Sequence, residues 1–112
     1  MSDRMRKVNS LIKQEMSELI MQNIDFKPGV FVTIAKVDTT SDLRYTRIFV
    51  RVFPHDDINY AMKTLDHEKN IMQKNLHKKL HLKILPKISF IYDKKGDEID
   101  ELEQAFGEVD NS

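Results

Sequence analysis

Residues 45–92 read YTRIFVRVFPHDDINYAMKTLDHEKNIMQKNLHKKLHLKILPKISFIY, and this stretch decides the fold. Tyr45–Phe53 is β-branched and aromatic, with Ile48, Val50 and Val52 at period 2, which predicts a strand. Ile58, Met62 and Leu65, then Met72, Leu76 and Leu80, recur at i, i+3 or i+4 and predict helix on both sides of residue 70. Lys87–Tyr92 alternates again. Two strands joined by a helical crossover of this length lie parallel, with the helices over one face of the sheet. The charge is as telling as the periodicity. Six lysines (69, 74, 78, 79, 83 and 87) and no Asp or Glu fall between Lys69 and Lys87.

Outward from this stretch the pattern is simple. Met5, Val8, Leu11, Ile12, Met16, Leu19 and Ile20 form an apolar stripe, so residues 4–22 are an amphipathic helix. Arg4, Arg6, Lys7 and Lys13 lie on or beside its polar side. Pro28-Gly29 breaks the chain, and Val30–Val37 is a strand. Asp38–Asp42 is rich in side chains that bond back to the local backbone, so the two strands form an antiparallel hairpin with a five- to seven-residue loop. Arg47 and Arg51 fall on the sheet face opposite Ile48, Val50 and Val52. Pro54 ends that strand, and Asp56-Asp57 offers an N-cap to the next helix. The apolar pattern slips where Asp66–Asn70 intervene, and Asn tolerates the left-handed conformation. A kink or helix break is therefore expected at Asn70. Ile99, Leu102 and Phe106 suggest a short final helix from about Glu98.

The expected fold is α+β, a single domain of order α-β-β-α-α-β. Its three-stranded mixed sheet carries the helices on one face. Residues 1–107 form this domain, and 108–112 lack an apolar pattern and read as an acidic disordered tail. At 112 residues there is room for one core. No run approaches the ~20 apolar residues of a membrane span, and the polar N-terminus is not a secretory leader. Cysteine is absent, which excludes disulfides and thiol chemistry. A cytoplasmic location is expected. The formal net charge of zero hides an asymmetry. Residues 1–92 hold 16 basic and 10 acidic residues, a net of +6, and residues 93–112 hold 2 and 8, a net of −6. A basic body suits a polyanionic partner.

Enzyme signatures are mostly missing. The glycines at 29, 96 and 107 compose neither a phosphate loop nor a dinucleotide fingerprint. No GxSxG motif or cysteine nucleophile is present, and no enzymatic activity or cofactor is expected. His77 and His81 stand one helical turn apart, but without carboxylate or thiolate neighbours they do not make a metal site. Lys74 and Lys78 project away from the Met72–Leu76–Leu80 stripe. Lys79 sits nearer its margin, and Lys83 lies just past the helix. These four, with Arg4, Lys7, Arg47 and Arg51, are the candidate RNA-binding residues, since lysine and arginine bind phosphates without reading sequence.

The element order is that of a type II KH-like domain. A KH domain grips backbone phosphates with a GXXG loop between paired helices; here that junction reads Glu68-Lys69-Asn70-Ile71. Nearly the whole chain, from Arg4 to about Phe106, resembles the bacterial ribosome-binding factor A family. The most specific segments are Val37–Leu43 (VDTTSDL), Tyr45–Phe53, and Leu65–Asp93, including Leu76–Leu80 (LHKKL), Leu82-Lys83 and Pro86–Asp93 (PKISFIYD). The resemblance implies binding to the small ribosomal subunit and its rRNA, and the protein is expected to be a monomer when free. It further implies a role in maturation of that subunit and late processing of its rRNA. Two departures stand out: Glu68-Lys69-Asn70 replaces the family's Ala-x-Gly kink, and Asp25-Phe26-Lys27 replaces Asp-Pro-Arg. Gln73 also stands where a basic residue is common. The competing reading is a small protein-interaction or ligand-sensing α+β module, paired with a second copy through its bare sheet.

Overall fold

The strand Tyr45–Phe53 (β2) is the middle of the sheet and the element on which the others are assembled. Its β-branched residues Thr46, Ile48, Val50 and Val52 are buried on one face, while Tyr45, Arg47 and Phe53 are exposed on the other. A computed structural model describes residues 3–84 and 86–94 of the chain. In it, β1 (Phe31–Thr39) runs antiparallel along one edge of β2, and β3 (Lys87–Tyr92) runs parallel along the other. The sheet order is β1-β2-β3. Helix α1 (Asp3–Asn23) packs on β1, and helix α2 (Ile58–Leu80) packs on β3 and against α1. The result is the expected α+β, KH-like arrangement with a three-stranded mixed sheet.

The core lies between the two helices and the covered face of the sheet. Ile12 and Met16 of α1, Ile48 and Val50 of β2, and Leu65, Met72 and Leu76 of α2 are all fully buried. Removing each such side chain from water contributes about 1.5–3 kcal/mol, which fixes both helices to the sheet. A second cluster, Val30, Val52 and Ala61, closes the opposite end with Phe26 and Tyr60. There the Lys27 ammonium meets the Asp57 carboxylate at 2.6 Å and lies 4.8 Å from the centre of the Tyr60 ring. The hydrogen bond to Asp57 raises the Lys27 pKa against a smaller opposing effect of desolvation. Asp57 thus occupies the N-cap position of α2 without capping it by its side chain. A 3₁₀ turn over His55–Asp57 leads into the helix instead.

Two local expectations are corrected. The helix break at Asn70 is absent: α2 runs without interruption from Ile58 to Leu80, so the order is α-β-β-α-β. The apolar phase does not slip. Ala61, Leu65, Met72 and Leu76 are buried, and the seven residues from Leu65 to Met72 make two turns of one continuous stripe. Half-buried Glu68 and Lys69 fill the turn between them, and Asn70 is exposed. The left-handed residue lies eleven positions on, at His81 (φ 49°, ψ 39°), whose N–H donates to the His77 carbonyl and ends the helix.

The second correction is in β1, which continues through Asp38 and Thr39 rather than turning there. It contains a bulge: Ile34 faces Val50 and Lys36 faces Phe49, leaving Ala35 as the extra residue. Buried positions are even-numbered before it (Val30, Ile34) and odd-numbered after it (Val37, Thr39). Buried Thr39 and Thr46 then join hydroxyls across the strands at 3.0 Å. The loop between the strands is five residues, 40–44, with Leu43 at positive φ. The short helix expected from Glu98 and the acidic tail at 108–112 lie outside the described residues.

Candidate nucleic-acid interface

An amphipathic helix that spends one face on the core must present the opposite face to solvent. On α2 that outer face carries Lys63, His67, Lys74, Lys78 and, at the helix end, His81, all exposed. Among the described residues no carboxylate pairs with Lys74 or Lys78. His77, Lys78 and Lys79 occupy the last turn, where cations oppose the negative end of the helix dipole. The ridge is therefore favourable to the helix as well as available to an anion.

The candidate cations separate into two groups. Lys74, Lys78 and Lys83 are exposed, as are Arg4 and Lys7 in the first turns of α1. Lys79 is held between the helices, 3.5 Å from Glu15 and 3.7 Å from Glu18 of α1. Arg47 is ion-paired with Asp38 of β1, and half-buried Arg51 is engaged within the protein. The topology gathers the first group. The Lys79–Glu15 pair joins the end of α2 to the middle of α1, and Arg6, Asn9, Ser10 and Lys13 line a cleft with Val37 near the end of β1. Arg4 and Lys7 consequently lie at the end of the domain where α2 stops, with Lys83 and the first residue of β3, Lys87. The opposite end holds Asp56 and Asp57.

A groove of about 310 Å³ lies between α2 and the outer edge of β3, lined by Lys69, Asn70 and Gln73 on the helix and Tyr45, Lys87 and Ser89 on the sheet. Gln73 shapes it. Its Oε1 accepts a hydrogen bond from the Ile88 N–H at 3.1 Å and so satisfies an edge-strand donor. A longer cation at position 73 could not accept that bond. Lys69, Lys87 and Tyr45 are not among the residues that helical spacing singles out; the acid-free run from Lys69 to Lys87 is the signal that points to the two lysines. Tyr45 gives none, because only the parallel register, which sets it opposite Lys87, brings it here.

Among the described residues no cluster of three or more His, Asp or Glu could hold a metal ion, and no helix is long and apolar enough to cross a membrane.

The family model described as ribosome-binding factor A matches residues 4–106. The chain belongs to the ribosome-binding factor A family. A relative of that name in Thermodesulfovibrio yellowstonii is 26% identical over 106 residues, covering 95% of this chain and 90% of its own. The crystal structure of ribosome-binding factor A from Thermus thermophilus superposes with a TM-score of 0.70 at 18% identity, over 79% of this chain and 94% of that one. A homology model of the Thermus thermophilus protein, fitted into the electron cryo-microscopy map of its complex with the 30S subunit, gives 0.62 at 20% identity, covering 74% and 88%. Within this family frame the site residues sit on α2, the loop after it, and the start of α1.

Proposed function

We propose that this chain binds the small ribosomal subunit and acts in its maturation, including late processing of its rRNA, without catalysing a reaction. It does so in the cytoplasm, as a monomer until it meets the subunit. Binding to rRNA runs through the exposed α2 ridge at Lys74 and Lys78, extended by Lys83, Arg4 and Lys7 at the basic end of the domain. The carrying observation is that ridge, lysines without described acid partners on a helix whose other face is committed to the core. Membership of the family and the 30S complex of the Thermus thermophilus relative support the choice of partner. Lys79 and Arg47 contribute to the positive field while paired to protein carboxylates.

The test is co-sedimentation with small subunits across a salt series. Lys74→Glu with Lys78→Glu should leave the fold within about 0.5 kcal/mol of the parent, as surface changes do. It should weaken binding strongly and reduce the log–log salt slope by about 2, because two fewer phosphates are neutralised in the complex. A folded double variant with unchanged affinity and slope would remove the ridge from the interface.

A further inference from the structure

The sheet face turned away from both helices is not dressed as an ordinary solvent face. Phe31 and Phe53 are direct cross-strand partners at one end of it and are 64% and 67% exposed. Tyr45, 55% exposed, stands at the other end of β2. Eight residue steps along the strand separate Tyr45 from Phe53, about 26 Å. Between these aromatic stations Lys36 and Arg47 approach the Phe49 ring, 5.6 Å and 5.7 Å from its centre. Adjacent exposed rings make a contiguous apolar patch, the kind of surface that marks an interaction site.

Charge selects the occupant. Among the described residues Lys36, Arg47, Arg51 and Lys87 lie on the face against Asp38, which is already paired with Arg47, and Asp93 just past the end of β3. A second copy of the chain would set these cations against their own kind, which disfavours association. A single-stranded nucleic acid offers bases to stack on the rings and phosphates to meet the cations, a pairing that needs no base sequence. Duplex RNA hides its base faces and cannot do this. The face is also continuous with the candidate interface, because Tyr45, Lys87 and Ser89 border the same groove as Lys69 and Asn70 of α2.

We propose that the open sheet face is a second RNA surface, which stacks unpaired bases on Phe31, Phe53 and Tyr45. A strand leaving the α2 ridge passes over the β3 edge onto it. This rests on the RNA-binding reading given above. The test uses the full chain and a labelled eight-nucleotide single-stranded RNA of mixed sequence, followed by fluorescence anisotropy. Phe31→Ser with Phe53→Ser should weaken octamer binding about 10- to 100-fold, with only a small loss of thermal stability and the fold retained, since neither ring is in the core. In the parent protein, octamer addition should shift the backbone amide resonances of Thr33, Arg47 and Ser89, and a blunt-ended RNA duplex should leave those resonances unmoved. Unchanged octamer affinity in the folded Phe variant, alongside weakened binding in the Lys74→Glu, Lys78→Glu variant, would overturn the sheet proposal and keep the ridge. A concentration-dependent dimer that the Phe substitutions abolish, with octamer affinity unchanged, would also overturn it and assign the face to a second copy. Failure of the parent protein to co-sediment with small subunits would instead strike the underlying reading.

Discussion

Asn70 shows how a residue's chemistry can be read correctly and its place wrongly. Its tolerance of left-handed backbone is real, but nothing forces it to be used inside a helix whose apolar stripe is continuous on both sides. As an exposed residue in a helix interior it is a mediocre helix former. Asn70→Ala should therefore stabilise the protein by about 0.5 kcal/mol, raising Tm by about 2–4 °C, and Asn70→Gly should lower it. A glycine variant at least as stable as the parent in thermal melts would restore the kink. Asp42 is a second informative residue. Its carboxylate accepts hydrogen bonds from the Thr40 hydroxyl at 2.6 Å and the Arg44 N–H at 3.0 Å, and these lower its pKa below the ordinary 3.8. A depressed acid stabilises the folded loop above its unfolded pKa and loses that effect as pH falls through the folded value. The Arg44 amide resonance should accordingly titrate with a midpoint below pH 3.8 and stop titrating in Asp42→Asn.

At the level of elements, helices and strands were legible because each buries one face and repeats at its own period. Both helix faces and all three strands follow from this. Breaks in period were harder. The β1 bulge was written in the sequence as apolar residues at 30, 32 and 34 followed by 37, yet a parity change of that kind is indistinguishable from an ordinary exposed apolar residue until the register is known. In α2 the opposite error arose, since Glu68 and Lys69 cover one turn with their stems and imitate a break. The site divides the same way. Exposure of Lys74 and Lys78 follows from helical spacing, while the engagement of Lys79 with α1 depends on how two helices meet. That engagement has its own consequence. Lys79→Glu would bring three carboxylates together with Glu15 and Glu18 and should destabilise the helix pair by about 1 kcal/mol in urea unfolding. Adding Glu15→Lys should recover most of it. A Lys79→Glu protein as stable as the parent would show that the pair carries no weight.

Over the whole molecule, elements that alternate in direction sort the charge. Because α1 begins, α2 ends and β3 starts at one end of the domain, cations spread over 84 positions of sequence, from Arg4 to Lys87, converge there. No window of the sequence displays this, and Arg4 could be linked to Lys83 only through the fold. The aromatic stations of the open face were likewise invisible as a unit, since Phe31 and Phe53 are 22 residues apart and meet only by cross-strand register.

The parallel pairing of β3 with the central strand also bears on how the chain is made. During synthesis, α1, β1, β2 and α2 leave the ribosome first, and the hairpin pairs locally. Until residues 87–92 follow, β2 keeps one edge of unpaired N–H and C=O groups, and the core lacks Ile88. Such an edge templates association between nascent chains. A chain terminated at Lys83 should consequently remain unfolded or form soluble aggregates in sedimentation analysis, whereas one terminated at Gly107 should yield a dispersed, folded spectrum. Completion of this sheet thus waits on the translation of β3.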